Sequence, residues 1–327
     1  MYTFDDRNIL VTGGTGSFGK AMIAKMLLNK KINQVNIYSR DELKQYELQN
    51  DLQDSRVNFI LGDIRDYERL KQATQNVQVI IHAAAMKQIV AAERNPTEAI
   101  RTNIFGAENV IKASHSAGVE RVIALSTDKA ASPINLYGAT KLCSDKLFVN
   151  ANYIESNSQT KFSVVRYGNV VGSRGSVIPL FLQQLKNPYF TITHPDMTRF
   201  WITLSEGVDF VQDCFTHMQG GELFVPKIRS FKVTDVAKVI DPNKEFKFIG
   251  IRSGEKMHET MITEDDSFNT YQYRNYYVIA QQEIIDIRNE FIQGDKVQSG
   301  FQYSSNVNSD WYNKETFKSM LINEKIL

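Results

Sequence analysis

Only two cysteines occur in 327 residues, and Cys143 and Cys214 stand far apart in segments of helical period. That spacing excludes a disulfide framework or a paired redox motif and predicts two buried, reduced thiols. Histidine is equally sparse. His82, His115, His194, His217 and His258 show no paired ligand spacing, which argues against metal catalysis and predicts no metal site. No apolar run approaches the ~20 residues that a membrane helix needs, and the opening MYTFDDRNILVTGG has acids where a secretory signal would be basic. Charge of one sign is missing too: 38 Lys and Arg against 37 Asp and Glu leave a formal +1, so no bulk field recruits nucleic acid or a membrane. These absences predict a cytoplasmic protein whose anion binding, if any, comes from a local site. Proline is rare, and Pro179, Pro188, Pro195, Pro226 and Pro242 all fall in the second half.

What the chain does contain is alternation. The runs NILVTGG, KAMIAKMLL, QVNIYSR, VNFILGD, VQVIIHAAA, RVIALST and FSVVRYGNVV pair short Val/Ile-rich strands with segments of helical period. Repeated strand–helix–strand units predict an α/β fold with a doubly wound parallel sheet, whose ligands bind at the carboxyl ends of the strands. With 42% hydrophobic residues the core is substantial. The later prolines break the alternation, which predicts a first domain over 1–166 and a smaller ligand-side domain over 167–327, partly interleaved with it. The aromatic stretch YQYRNYY reads as a partly buried strand rather than a base-stacking surface.

The sharpest local signal is TGGTGSFG, between the first strand and the helix KAMIAKMLL. Gly13 allows the tight turn, Gly16 lets backbone N–H groups approach a pyrophosphate, and Gly19 allows close helix packing, with the helix N-terminus favouring an anion. Thr15, Ser17 and Phe18 belong to the same predicted dinucleotide cradle. At the end of the second strand Arg40, helped by Ser39 and Lys44, suits the 2′-phosphate of NADP. The alternative leaves Arg40 solvated and gives Asp41 the ribose of NAD. Asp63, with Ile64 beside it, follows the third strand where a carboxylate can accept the adenine amino group. Ala83 and Ala85 end the fourth with side chains small enough for a cofactor to lie against.

Tyr137 and Lys141 are four residues apart and share a helix face, where the ammonium can lower the phenol pKa. Tyr67 and Lys71 have the same spacing and read as a surface pair, so context must decide. Ser132 and Pro133 predict the N-cap and first residue of a helix that places Tyr137 near its start, just past the strand RVIAL and its polar end Ser126-Thr127.

The glycine fingerprint, the strand-end hydroxyl of Thr127 and Tyr-x-x-x-Lys together resemble the extended short-chain dehydrogenase/reductases. Within them, LSTDKAASPINLYGATK, RYGNV, SRGSVIP, MTRF and GEK resemble the inverting UDP-N-acetylglucosamine 4,6-dehydratases, which make the first intermediate of pseudaminic acid biosynthesis. The resemblance spans nearly the whole chain. It implies a Rossmann fold, bound NADP, UDP-N-acetylglucosamine as substrate, and a homo-oligomer. It also implies that Tyr137 takes the C4 hydroxyl proton with Lys141 in support, that Asp128 helps expel the C6 hydroxyl, and that Lys129, if locally neutral, removes the C5 proton. Asn169, Arg199, Arg252 and Glu255 are implied anchors for the nucleotide, with Lys87 near the sugar. Rival readings are a nucleotide-sugar 4-epimerase or retaining dehydratase on the same scaffold, and a non-catalytic NADP-binding sensor.

Overall fold

The computed structural model describes residues 2–154, 159–173, 175–280 and 294–327. Strands β1 (Asn8–Thr12), β2 (Gln34–Ser39), β3 (Val57–Leu61), β4 (Val79–His82), β5 (Arg121–Thr127) and β6 (Lys161–Tyr167) pair in the order β3-β2-β1-β4-β5-β6, every pair parallel. β1, β2 and β4 are buried almost throughout because helices cover both faces. On one face lie α3 (Tyr67–Ala73), α6 (Gly106–Ala117) and α7 (Leu136–Ile154), which contribute Leu70, Val110 and Phe148 to one core. On the other, Met22 and Ile23 of α1 (Ser17–Leu27) pack with Val211 and Phe215 from the helix Leu204–His217, and α2 (Glu42–Asp51) adds Leu48. Strand order reverses between β1 and β4, and a crevice opens there beyond the strand ends.

The second half returns to this sheet. Leu223–Pro226 pairs parallel with β6, and Tyr276–Ile279, Thr270–Gln272 and Asp295–Lys296 extend the edge antiparallel to one another, giving ten strands among the described residues. YQYRNYY thus supplies two edge strands, with Tyr277 buried against Phe301 and Tyr303. The remainder of the second half builds its own core from Phe181, Phe190, Trp201, Phe231 and Phe317, with Phe231 stacked on Phe317 at 4.5 Å between centroids. Strands Asn169–Val170, Thr198–Ile202 and Arg229–Lys232 tie that core to the mouth of the crevice. No helix among the described residues is long and apolar enough to cross a membrane.

α7 corrects two expectations. Its buried residues Thr140, Lys141, Ser144, Asp145, Phe148 and Val149 follow the 3.6-residue period, which leaves Cys143 on the outer face: Cys143 is exposed and only Cys214 is buried. The helix also begins later than expected. Ser132 is left-handed (φ 46°), and Asn135 caps instead, its Oδ1 accepting from Gly138 N at 2.8 Å. The reason is local: an N-cap needs an extended backbone, which the left-handed Ser132 that follows the turn Asp128–Ala130 does not have. Gly138 packs directly on that turn: a Cβ there would stand 2.2 Å from the carbonyl oxygen of Lys129. Gly138→Ala is therefore expected to lower stability by about 2 kcal/mol through overpacking, measured as a lower denaturant midpoint; an unchanged midpoint would show that the turn yields freely.

Candidate active site

A cleft of about 1050 Å³ lies at the carboxyl ends of β1, β2, β4 and β5. That exceeds the room one small ligand takes and can hold a dinucleotide with a second ligand. All of the site residues expected from sequence line it except Asp128, which is buried beneath its floor; Tyr67 and Lys71 do not line it.

The glycine turn has the form a dinucleotide needs. Gly13 has φ +68°, and a Cβ there would meet Ala84 N at 2.8 Å, so the turn lies against the end of β4. Gly19 packs as closely on the turn itself, with Gly14 Cα 2.5 Å from where its Cβ would be. Gly16 caps α1, whose first turn carries no acid, leaving the helix N-terminus open to an anion. Thr15, Ser17 and Phe18 line the cleft beside it, with Phe18 stacked near Tyr167. Beneath, His82 donates or accepts at Thr12 Oγ1 over 2.8 Å, and burial pushes its pKa down to about 3, so it is a neutral packing residue.

Beyond β2, Asp41 is committed: Oδ1 accepts from Lys44 N as the α2 cap and Oδ2 pairs with the Lys44 ammonium. Arg40, 63% exposed, is tethered only at 3.8 Å to Asp63. Asp63 in turn holds Arg65 at 2.7 Å. Ile64 is buried against Gly106, and Ala83 and Ala85 keep the cleft wall low.

At the end of β5 the chain gathers charge. Lys129 Nζ lies 2.9 Å from Asp128 Oδ1, 3.3 Å from Glu259 Oε1 and 3.4 Å from Asn169 Oδ1. Thr127 donates to the same Asp128 oxygen at 2.9 Å and lies beside Tyr137. Burial opposes the charge on Lys129, but Asp128 and Glu259 outweigh it and hold the ammonium above the ordinary lysine range. Burial, then repulsion from Glu259, raises Asp128. The condition set for Lys129, local neutrality, is corrected by these surroundings, which favour its ammonium. A second correction concerns Tyr137, which burial pushes up to about 12; the cation that opposes this most is Lys129, not Lys141. Lys141 is itself buried, its pKa lowered by burial against the pull of Asp145.

The anchors divide. Arg252 is 64% exposed at the rim and pairs with Glu255 at 3.1 Å. Arg199 is buried and spends its donors on the protein, giving Nη1 to Thr198 O (2.7 Å) and Met257 O (3.1 Å) and Nη2 to Lys256 O (2.9 Å), with Nε 3.5 Å from Glu259. It therefore braces the 256–259 segment before it can serve a ligand. Lys87 faces the cleft, lowered by burial and by Lys129.

Several supports escaped sequence reasoning. Between α5 (Pro96–Ile100) and α6 a π-turn over Arg101–Phe105 aims Asn103, which bonds Met86 N, Met86 O and Thr140 Oγ1 within 2.8–3.0 Å and so fixes the backbone beside Lys87. Asn135 Nδ2 reaches Gly254 O (2.7 Å) and Lys256 Nζ reaches Ala131 O (2.6 Å), docking the 254–256 loop on the start of α7. Glu259 stands 130 residues from Lys129, and no local pattern marks it. Among the described residues no cluster of His, Cys, Asp or Glu could hold a metal ion.

A family model described as polysaccharide biosynthesis protein matches residues 9–281. The chain belongs to that family. A UDP-N-acetylglucosamine 4,6-dehydratase (inverting) of Campylobacter jejuni is 53% identical over 94% of this chain and 95% of its own length. A UDP-glucose 4-epimerase of Rickettsia bellii is 39% identical over 98% of this chain and 96% of its own. The solved structure of Pen from Bacillus thuringiensis superposes with a TM-score of 0.91 at 35% identity, covering all of both chains. The fold is the Rossmann-like fold of the extended short-chain dehydrogenase/reductases.

Lys129 sets a measurable property of this site. In the cofactor-free protein Tyr137 is expected to stay protonated through neutral pH, and Lys129→Ala should raise its pKa further; tyrosine-ring NMR titration, assigned with Tyr137→Phe, reads this directly. A downward shift would contradict the assigned electrostatics.

Proposed function

We propose that the chain is a UDP-N-acetylglucosamine 4,6-dehydratase that inverts C5, and that it uses NADP. The observation that carries this reading is the Asp128–Lys129 pair, 2.9 Å apart at the strand end beside Tyr137. A 4-epimerase needs a proton acceptor at C4 and a hydride carrier. Loss of water across C5 and C6 needs two more proton-handling groups, an acid for the departing oxygen and a base for a carbon-bound proton. The identity to the Campylobacter protein, higher than that to the Rickettsia epimerase, supports the same choice.

Bound nicotinamide dinucleotide supplies the hydride acceptor for C4 and the hydride donor for C6. Tyr137 receives the C4 hydroxyl proton as phenolate; its high resting pKa means that it becomes effective only when further positive charge joins Lys129 and Lys141 around it. The resulting 4-ketone acidifies the C5 proton. A proton passed from Lys129 to Asp128 across their contact converts the ion pair into a neutral amine and a neutral acid, the two forms the elimination requires. Lys129 then takes the C5 proton, Asp128 gives its proton to the C6 oxygen, and water leaves. A solvent proton adds to C5 from the opposite face, which completes the inversion, and Tyr137 returns its proton to solvent, which restores the phenolate. Lys87 and Asn169 face the sugar, and Arg252 with Glu255 anchors the nucleotide at the rim.

The preference for NADP rests on commitment of the rival group: Asp41 is occupied as a helix cap and by Lys44, whereas the Arg40 guanidinium is exposed to the cleft. Arg40→Ala should weaken NADP binding by about tenfold or more, the loss of a charge-assisted phosphate contact, and leave NAD binding unchanged, as calorimetry of both cofactors would report; equal losses would remove Arg40 from the 2′-phosphate. For the reaction itself, UDP-N-acetylglucosamine in deuterated water is expected to give a 6-deoxy-4-keto sugar with deuterium at an inverted C5, followed by proton NMR. A retained C5 would overturn the role of Lys129, and untouched substrate would overturn the reaction.

A further inference from the structure

Lys129 has three donor hydrogens as an ammonium, and three acceptors surround its nitrogen: Asp128 Oδ1, Glu259 Oε1 and Asn169 Oδ1. A neutral amine would leave one acceptor facing a lone pair, so this geometry is that of the cation. Glu259 is the member of the set that the reaction as proposed does not use. Its side chain is 2% exposed, yet it lies in the cleft wall, with Oε1 shared between Lys129 and Arg199 Nε and Oε2 buried without a hydrogen-bond partner among the described residues. A structural carboxylate would satisfy both oxygens; this one spends its charge only on cations. The backbone of Glu259 is held separately, through Ser305 Oγ to its N–H and Ser305 N to its carbonyl. The side chain can therefore change without releasing the segment.

We infer that Glu259 is a positioning residue for the C5–C6 elimination, holding the Lys129 ammonium between two carboxylates and directing its transferable proton to Asp128. The inference rests on the dehydratase reading above. Two carboxylates flank one lysine, and only one can take the proton. Glu259 is stabilised as an anion by Lys129, Arg199 and Lys256, which outweigh its burial. Asp128 lies deeper and is repelled by Glu259. The proton that Lys129 sheds goes to Asp128, which then delivers it to the C6 oxygen; Glu259 keeps its charge throughout, and no proton is gained or lost by the pair before the sugar reacts.

Glu259→Gln keeps the shape and removes the charge. In the holoenzyme it is expected to leave C4 oxidation intact while slowing elimination by about a hundredfold or more, in the range of lost general acid–base assistance. On mixing with UDP-N-acetylglucosamine, the absorbance of reduced nicotinamide should rise and persist in the variant and be transient in wild type. Removing Glu259 takes an attractive charge from Lys129 and a repulsive one from Asp128, so both pKa values fall. Both limbs of the kcat–pH profile should move to lower pH, against the same background of Arg199, Lys256, Lys87 and Tyr137. Glu259→Asp should bring the profile back toward wild type. Calorimetric affinity of the cofactor-free variant for UDP should be unchanged, while its thermal midpoint should fall because Lys129 and Arg199 lose a buried counter-charge. Wild-type turnover in Glu259→Gln, or slow turnover with an unmoved pH profile, overturns the inference. A wild-type enzyme that yields no 6-deoxy-4-keto sugar instead overturns the reaction on which the inference depends.

Discussion

Charge compensation at the end of β5 constrains much of the site around it. Asp128 and Glu259 are almost wholly buried, and a buried carboxylate without a counter-charge costs several kcal/mol. Lys129 and Arg199 provide the counter-charges, and each must be delivered by a different part of the chain. The turn at 128–130 delivers Lys129, Gly138 lets α7 close over that turn, and Arg199 braces the segment that carries Glu259. Shifting any one of these elements leaves a charge unpaired in the interior. The small three-stranded sheet and the aromatic core behind it hold Arg199 and Asn169 to this requirement.

Around that cluster the parallel sheet does a simpler job. Reversal of strand order between β1 and β4 opens the crevice, and glycines at the first turn bring backbone rather than side chains to its wall. The glycine-turn end of the cleft therefore depends on local chain geometry, while the β5 end depends on charges assembled from distant segments.

Legibility followed the same division. Thr12–Gly19, Ser39–Lys44 and Thr127–Lys141 could each be read because their chemistry is contiguous, and apart from Asp128 the structure brings the site residues expected from them to one cleft. Local inference erred where backbone conformation decides: Ser132 suits a cap by residue type, but its left-handed backbone leaves the cap to Asn135 and the helix start to Leu136. Cys143 has a helical context like that of Cys214, and only the direction of the buried face separates them.

The sequence by itself determined the alternating elements, the glycine cradle and the identity of the residues able to carry proton and hydride chemistry, because each depends on backbone period or on groups a few residues apart. Tertiary structure decided the states of those groups. Whether Lys129 is charged depends on Glu259, and whether Arg199 has donors to spare depends on Lys256 and Met257, all brought from more than a hundred residues beyond β5. Ionisation in a protein interior is set by distance in space and by removal of water, and neither is written in the spacing of a motif.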